Sequence, residues 1–308
     1  MNNLNYIHVG YPKCASSFLQ MDIFSKDERI KFHGIIRDPD SSKSVKINPI
    51  IRKFILYARG KTNIAPKSED LIRIMSGNVN VISDEDFSTY GNITIENKVE
   101  RIKNILPSAK IIIVVRSPIS LLRSFYDFYF RGGHIKIGLN DFFNKEFENY
   151  EESTILQTAH YKRCISCFVE EFGSENVYVL NLDDLKHNSN NFLLSLYKIM
   201  GLKYIKPKKD IKKRNVALPG SALNFGVKFP SVWNIRKYFP KFIRRLIKYI
   251  FTKINSKTES FSASNIKRIN RFYIDDIQYL ENKYSIFFKN LSLYLIKSNL
   301  IAPIFICK

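Results

Sequence analysis

The residues between Gly10 and Ser17, Gly-Tyr-Pro-Lys-Cys-Ala-Ser-Ser, are of the types that hold an anion. They follow an apolar run, Leu4 to Val9, and precede a helical spacing from Ser17 to Phe24. The first N–H groups of a helix have no partner inside it, and with the helix dipole they suit a phosphate or sulfate. Here those groups belong to Cys14, Ala15, Ser16 and Ser17. Gly10 permits a sharp exit from the strand, Pro12 stiffens the loop, Lys13 adds a full positive charge, and the hydroxyls of Ser16 and Ser17 can donate to the same anion. The pattern differs from the G-x-x-x-x-G-K-[ST] loop, because the lysine comes three residues after the glycine and no second glycine precedes it. That disfavours a magnesium-dependent nucleoside triphosphatase or a small-molecule kinase. A plain strand-to-helix turn, with Lys13 solvated and Ser16 as its cap, would use the same residues.

A second group lies where the apolar run Ile111 to Val115 ends in Arg116-Ser117-Pro118. Pro118 suits the first turn of a helix, and that helix carries Ser124, eight residues past the arginine. An arginine at the carboxyl edge of a parallel strand points at the ligand crevice, and its planar fork matches a phosphate. Pairing of Arg116 with an acid and packing of Ser124 between helices is the plainer alternative. The run Val79 to Ser83 ends in Asp84-Glu85-Asp86, which suits either a proton acceptor or a capped turn. Cys164 and Cys167 form a C-x-x-C pair in a helical pattern, without the second pair or histidines that a zinc site needs.

Strands are expected at Leu4–Val9, Val79–Ser83, Ile111–Val115 and Val177–Leu182. Helices are expected at Asn48–Arg59, Ile95–Leu106, Ser117–Phe130 and Ser153–Phe172. Such alternation implies an α/β fold, a parallel sheet with helices on both faces, which binds its ligands at the carboxyl ends of the strands. One domain over residues 1–308 is expected, with a basic amphipathic insertion at about 228–257 and a C-terminal helix at about 264–296.

With both groups in this order, the chain resembles the sulfotransferases that use 3′-phosphoadenosine 5′-phosphosulfate (PAPS). That family's 5′-phosphosulfate loop reads close to G-x-P-K-x-G-T-T. Here Ala15 stands for the second glycine and Ser16-Ser17 for the threonine pair. Its 3′-phosphate motif is an arginine ending a strand with a serine eight residues on, matched by Arg116 and Ser124. Looser similarities run through Asn176–Leu185, Phe272–Tyr284 and the basic loop Lys212–Val216, whose Arg214 lies where the family brings cations over the 3′-phosphate. The resemblance implies a P-loop-like nucleotide fold and sulfuryl transfer to a hydroxyl or amine, with PAPS as co-substrate and no metal. In that scheme Lys13 steadies the departing phosphate. Gly10, Pro12, Cys14, Ala15, Ser16 and Ser17 cradle it. Glycan-modifying members place a catalytic glutamate just after the strand matched by Val79–Ser83, which selects Glu85 with Asp84 beside it. Members acting on phenols and steroids use a histidine, which makes His33 the other candidate base. His134, beside Gly132-Gly133, falls in a candidate substrate loop.

The formal net charge is +21, with 49 Lys and Arg against 28 Asp and Glu. Between Lys203 and Lys257 sixteen Lys and Arg face one acid, Asp210. Charge of this size attracts polyanions. An acidic glycan acceptor and an anionic membrane beneath an amphipathic helix at Lys241–Ile254 are two readings of it; a basic face in water with the apolar face on the core is a third. A non-catalytic nucleic-acid binder is the rival class, but no recognition module accompanies the cations, and no nucleic-acid partner is expected. A carbohydrate acceptor is preferred to a small phenol. No apolar run is long enough to cross a membrane, no secretory signal is read, and the four cysteines are scattered, so a cytoplasmic or membrane-peripheral protein is expected.

Overall fold

The computed structural model describes residues 4–34, 47–205, 220–235, 238–240, 242–243, 246–247, 249–250 and 259–288. Five strands, β1 (Leu4–Gly10), β2 (Ile30–Gly34), β3 (Val79–Ser83), β4 (Lys110–Val115) and β5 (Val177–Asn181), form one parallel sheet in the order β2-β3-β1-β4-β5. The unbroken apolar run of β4 reflects burial on both faces, and its Ile111 to Val115 are wholly buried. β2 was not assigned as a strand from sequence. It is an edge strand in which exposed Lys31 interrupts the apolar run.

The helices on either side are α1 (Ser16–Phe18), α2 (Pro49–Ala58), α3 (Ser68–Ile74), α4 (Ile95–Ile105), α5 (Pro118–Gly132), α6 (Leu139–Glu148), α7 (Thr154–Thr158), α8 (Tyr161–Phe172), α9 (Leu182–His187), α10 (Ser189–Ile199), α11 (Gly220–Lys228), α12 (Pro230–Ile235), α13 (Ala263–Phe272) and α14 (Ile274–Tyr284). Short polar residues start many of them. Asn48, Thr94, Ser117, Ser153, Asn181, Asn188 and Ser262 each accept a backbone N–H of the first turn.

Four expectations are corrected. The helix expected over Ser153–Phe172 is two, because Asp276 of α14 accepts Lys162 N–H at 2.8 Å and meets His160 Nδ1 at 3.0 Å, so a distant carboxylate caps a new start at Tyr161. The segment Ser17–Phe24 is α-helical only to Phe18, then forms a π-helical turn over Leu19–Phe24. Leu182 opens α9 instead of closing β5, since Asn181 caps the helix there. The C-terminal helix expected at 264–296 is α13 and α14, broken at Tyr273, and α14 stops at Ser285 in the left-handed conformation; residues 289–296 lie outside the described ones. No described helix is long and apolar enough to cross a membrane.

The chain leaves β1 for one flank of the sheet and returns to its other side with β4. Strand order therefore reverses at β1/β4, and the crevice at their carboxyl ends is where such sheets take ligands. A register irregularity between His8 and Gly10 re-aims the end of β1 at that point.

Candidate active site at the β1 and β4 strand ends

Gly10 leaves β1 at φ +107°, a backbone conformation suited to glycine. Tyr11 N–H then donates to the Val114 carbonyl at 3.0 Å, fastening the loop to β4. The Tyr11 ring is buried edge-on against Tyr161, centroids 4.8 Å apart, and Cys14 is buried beside it. Lys13 and Ala15 have φ of 63° and 64° with Cys14 between them at negative φ. Left-handed residues at alternate positions of a loop are a feature of backbone anion cradles. No side chain caps the start of α1, so the N–H groups of Ser16 and Ser17 have no helical partner.

The two hydroxyls diverge. Ser17 is exposed, whereas Ser16 is buried and its hydroxyl lies 3.2 Å from the Tyr11 carbonyl and within bonding reach of the Glu85 carboxyl. Ser16 thus bonds within the loop and lies beside Glu85.

The Lys13 ammonium lies 4.4 Å above the Phe128 ring of α5 and shares its surroundings with Glu85, Arg131, Arg116 and Asp127. Burial lowers its pKa, and the Glu85 carboxylate opposes that shift. Arg116, just past β4, donates from Nη1 to the Lys13 carbonyl at 3.3 Å, while its own carbonyl accepts the Tyr161 hydroxyl at 2.7 Å. Its buried Nε has no hydrogen-bond partner among the described residues. Ser124 is half-buried two turns into α5. The two sequence groups, 103 residues apart, meet in one place.

After β3, residues Glu85–Phe87 form one 3-10 turn. Asp84, Glu85 and Asp86 separate there by role. Asp84 accepts two donors of Arg59, Nε at 2.9 Å, and the N–H of Asp86, so it is a buried structural anion. Lys98 holds the turn from beneath, donating to the carbonyls of Asp86 at 2.7 Å and Thr89 at 2.6 Å. Glu85 alone faces the loop. Burial raises its pKa, and Ser16 and Lys13 pull it back down.

His33 stands elsewhere. Its Nε2 lies 3.3 Å from Asn80 Oδ1, and Asn80 also bonds Asn5 and Gly77, a network toward the amino edge of the sheet. Burial lowers its pKa. The structure does not bring it to Lys13 or Glu85. His134 packs on Tyr129, centroids 6.2 Å apart. Arg214 and the loop Lys212–Val216 lie outside the described residues. Cys164 is buried and Cys167 is half-buried; neither forms a disulfide. Among the described residues no group of three or more His, Cys, Asp or Glu could hold a metal. A cavity of about 430 Å³ is lined by Tyr129, Phe142, Lys145, Glu146 and neighbours, and none of Lys13, Glu85, Arg116 or Ser124 borders it.

Sequence reasoning missed Asp127, Phe128 and Arg131. All three surround Lys13 from α5, three, four and seven residues beyond Ser124, the spacing of one helical face. That periodicity was the available signal.

A five-stranded parallel sheet with a lysine loop at its switch point defines an α/β nucleotide-type fold. A sulfotransferase from Alicyclobacillus acidocaldarius aligns with it at a TM-score of 0.50 and 16% identity, over 77% of this chain and 96% of its own. Mouse sulfotransferase SULT7A1, solved with PAP, aligns at a TM-score of 0.45 and 12% identity, over 96% of this chain and 89% of its own. Retinol dehydratase, solved with retinol and PAP, aligns at 0.41 and 9% identity, over 94% of this chain and 84% of its own. No family model matches the sequence. No curated protein matches it. The fold of this chain is the sulfotransferase fold.

Proposed function

We propose that this protein is a PAPS-dependent sulfotransferase acting on a hydroxyl, or an amine, of a carbohydrate. The observation that carries this reading is the hydrogen bond from Arg116 to the carbonyl of Lys13. It joins the cation suited to a terminal 3′-phosphate to the cation suited to the sulfur-bearing end, on one crevice. PAPS supplies an activated sulfuryl group. The residues present fit it: an uncapped α1 start, left-handed backbone at Lys13 and Ala15, and a buried Arg116 Nε with no partner among the described residues.

In this reading the loop N–H groups and Lys13 hold the 5′ side, and Arg116 and Ser124 hold the 3′-phosphate. Transfer of this kind needs positioning and charge stabilisation more than covalent help. Lys13 stabilises charge on the departing oxygen. Glu85 takes the acceptor's proton, its raised pKa bringing it closer to the working pH. A carbohydrate acceptor rests on a carboxylate, not a histidine, standing beside Lys13, and on the positive charge of the chain.

Calorimetric titration with 3′-phosphoadenosine 5′-phosphate, 5′-AMP and ATP with magnesium tests the reading. The 3′-phosphorylated nucleotide should bind tightly without metal, and Arg116→Ala should weaken it by roughly 10- to 100-fold, the size of a lost charge-assisted hydrogen bond. Preference for ATP with magnesium would overturn it in favour of a kinase. Sulfuryl transfer from PAPS across an acceptor panel then separates carbohydrates from phenols.

A further inference from the structure

Between the end of α5, α6 and the start of α7 lies the cavity of about 430 Å³ that the site above leaves unused. Local bonds build its rim. The Asn149 carbonyl accepts the N–H groups of Glu152 and Ser153, each at 3.1 Å, which folds the connection between α6 and α7 back on itself. Ser153 accepts Leu156 N–H at 3.1 Å and donates to the Glu146 carboxylate, while Gln157 donates to the Tyr150 carbonyl at 2.9 Å. A rim held in this way is in place before a ligand arrives.

The lining divides by chemistry. Ile135 and Ile155 are buried and the rings of Tyr129 and Phe142 half-buried, an apolar floor. Lys145, Asn149, Glu152 and Thr154 are exposed around it. Such a floor accepts the C–H face of a ring, and amide, hydroxyl and carboxylate groups bond neighbouring hydroxyls, so the set suits a sugar. Lys145 stands with two carboxylates, Glu146 and Glu152, the reverse of the chain's net charge. The cations of Lys203–Lys257 lie mostly outside the described residues. Carboxylates repel a uronic or sulfated unit, and an acyl chain would cover the polar rim without bonding it, which leaves an uncharged sugar ring.

Position ties the cavity to the crevice. The Lys13 ammonium lies 4.4 Å from the Phe128 ring centroid, that centroid lies 5.4 Å from the one of Tyr129, and Tyr129 borders the cavity. Phe128 is 53% exposed, so the path between the two is an open aromatic surface on α5. His134 packs edge-on against Tyr129 and Ile135 follows it into the lining, so the candidate substrate loop past Gly132-Gly133 belongs to this cavity.

We infer that the cavity is a second acceptor subsite, holding an uncharged sugar ring of an oligosaccharide whose reacting hydroxyl lies at Lys13 and Glu85. The inference rests on the carbohydrate reading above. Its test applies the full chain to immobilised neutral, uronic and sulfated oligosaccharides, beside calorimetry with 3′-phosphoadenosine 5′-phosphate. Anionic sugars bind the chain's net positive charge anywhere, so the informative quantity is the loss on substitution. The wild type should retain neutral oligosaccharides, and Asn149→Ala with Glu152→Ala, both exposed, should weaken that retention by about ten-fold, the size of lost hydrogen bonds, with nucleotide and anionic sugars bound as before. In transfer from PAPS the same variant should raise KM for a retained oligosaccharide and leave kcat unchanged. Absence of neutral retention, equal retention by the variant, a loss confined to anionic sugars, or an unchanged KM would overturn the subsite. Nucleotide bound without any neutral sugar would overturn the subsite alone, whereas variant-sensitive sugar binding without nucleotide binding would overturn the PAPS reading and with it the acceptor role.

Discussion

Glu85 is packed against Gly10 so closely that a Cβ on the glycine would stand 3.2 Å from both Cα and Cβ of the glutamate. The end of β1 and the turn after β3 therefore form a single unit, and the carboxyl faces Lys13 because the glycine has no side chain. Gly10→Ala meets this contact, the Ser88 hydroxyl at 3.1 Å and a φ of +107° together. We expect a loss of about 2–3 kcal/mol in urea unfolding, with nucleotide affinity reduced in parallel.

Ala15 occupies the left-handed region at φ 64° without the glycine that region favours. Strain in a left-handed residue exceeds the entropic cost of a glycine, so Ala15→Gly should stabilise the fold by roughly 0.5–1 kcal/mol, read as a higher urea midpoint. A lower midpoint would show that the alanine methyl group contributes packing of greater worth.

A proton acceptor works only when ionised. The Glu85 pKa is raised, chiefly by burial, so below that raised value the carboxyl holds its proton and turnover falls. The acid limb of kcat against pH should begin above the ordinary glutamate range. Glu85→Gln should cut kcat by about 10²- to 10⁴-fold and remove that limb while nucleotide binding persists. An unaltered profile in the variant would assign the limb to another group.

Buried Asp84 pairs with half-buried Arg59 behind the site, and Arg59 also reaches Asp86 at 3.0 Å. Asp84→Asn weakens this pairing while Arg59 keeps Asp86, and should cost roughly 1–2 kcal/mol of stability, with nucleotide affinity changed less than three-fold. A catalytic Asp84 would give the opposite pattern, an intact fold with lost turnover.

His8 is fully buried, with Nδ1 2.7 Å from the Ser83 hydroxyl, and burial lowers its pKa to about 3. The unfolded chain takes up a proton near the ordinary histidine value while the folded chain does not. Stability from this residue is thus complete above about pH 6.5 and lost as pH falls toward 3, at a slope of up to about 1.4 kcal/mol per pH unit. His8→Gln should flatten that part of the stability curve, measured by urea unfolding between pH 4 and 7.

Properties confined to neighbouring residues were legible in the sequence. The apolar runs of β1, β3 and β4, the helices beginning at Asn48, Thr94 and Ser117, and the loop from Gly10 to Ser17 follow from strand burial, capping and turn chemistry, which act over a few residues. Lys13, Arg116 and Ser124 could be singled out as candidates because each lies a fixed step from a strand end.

What only the tertiary structure decided are relationships between distant segments. Asp84 and Glu85 have the same charge and adjacent positions, yet one faces Arg59 and the other Lys13, a division set by how α2 and the β1 loop pack on the turn. The break before Tyr161 exists because Asp276, more than a hundred residues later, caps it. His33 is held on Asn80, and Ser16 is engaged beside Glu85. Spacing along a chain sets which way a side chain leaves its own strand or helix. Which partner it meets depends on the neighbouring elements, and those are fixed only when the sheet order and the helix packing are.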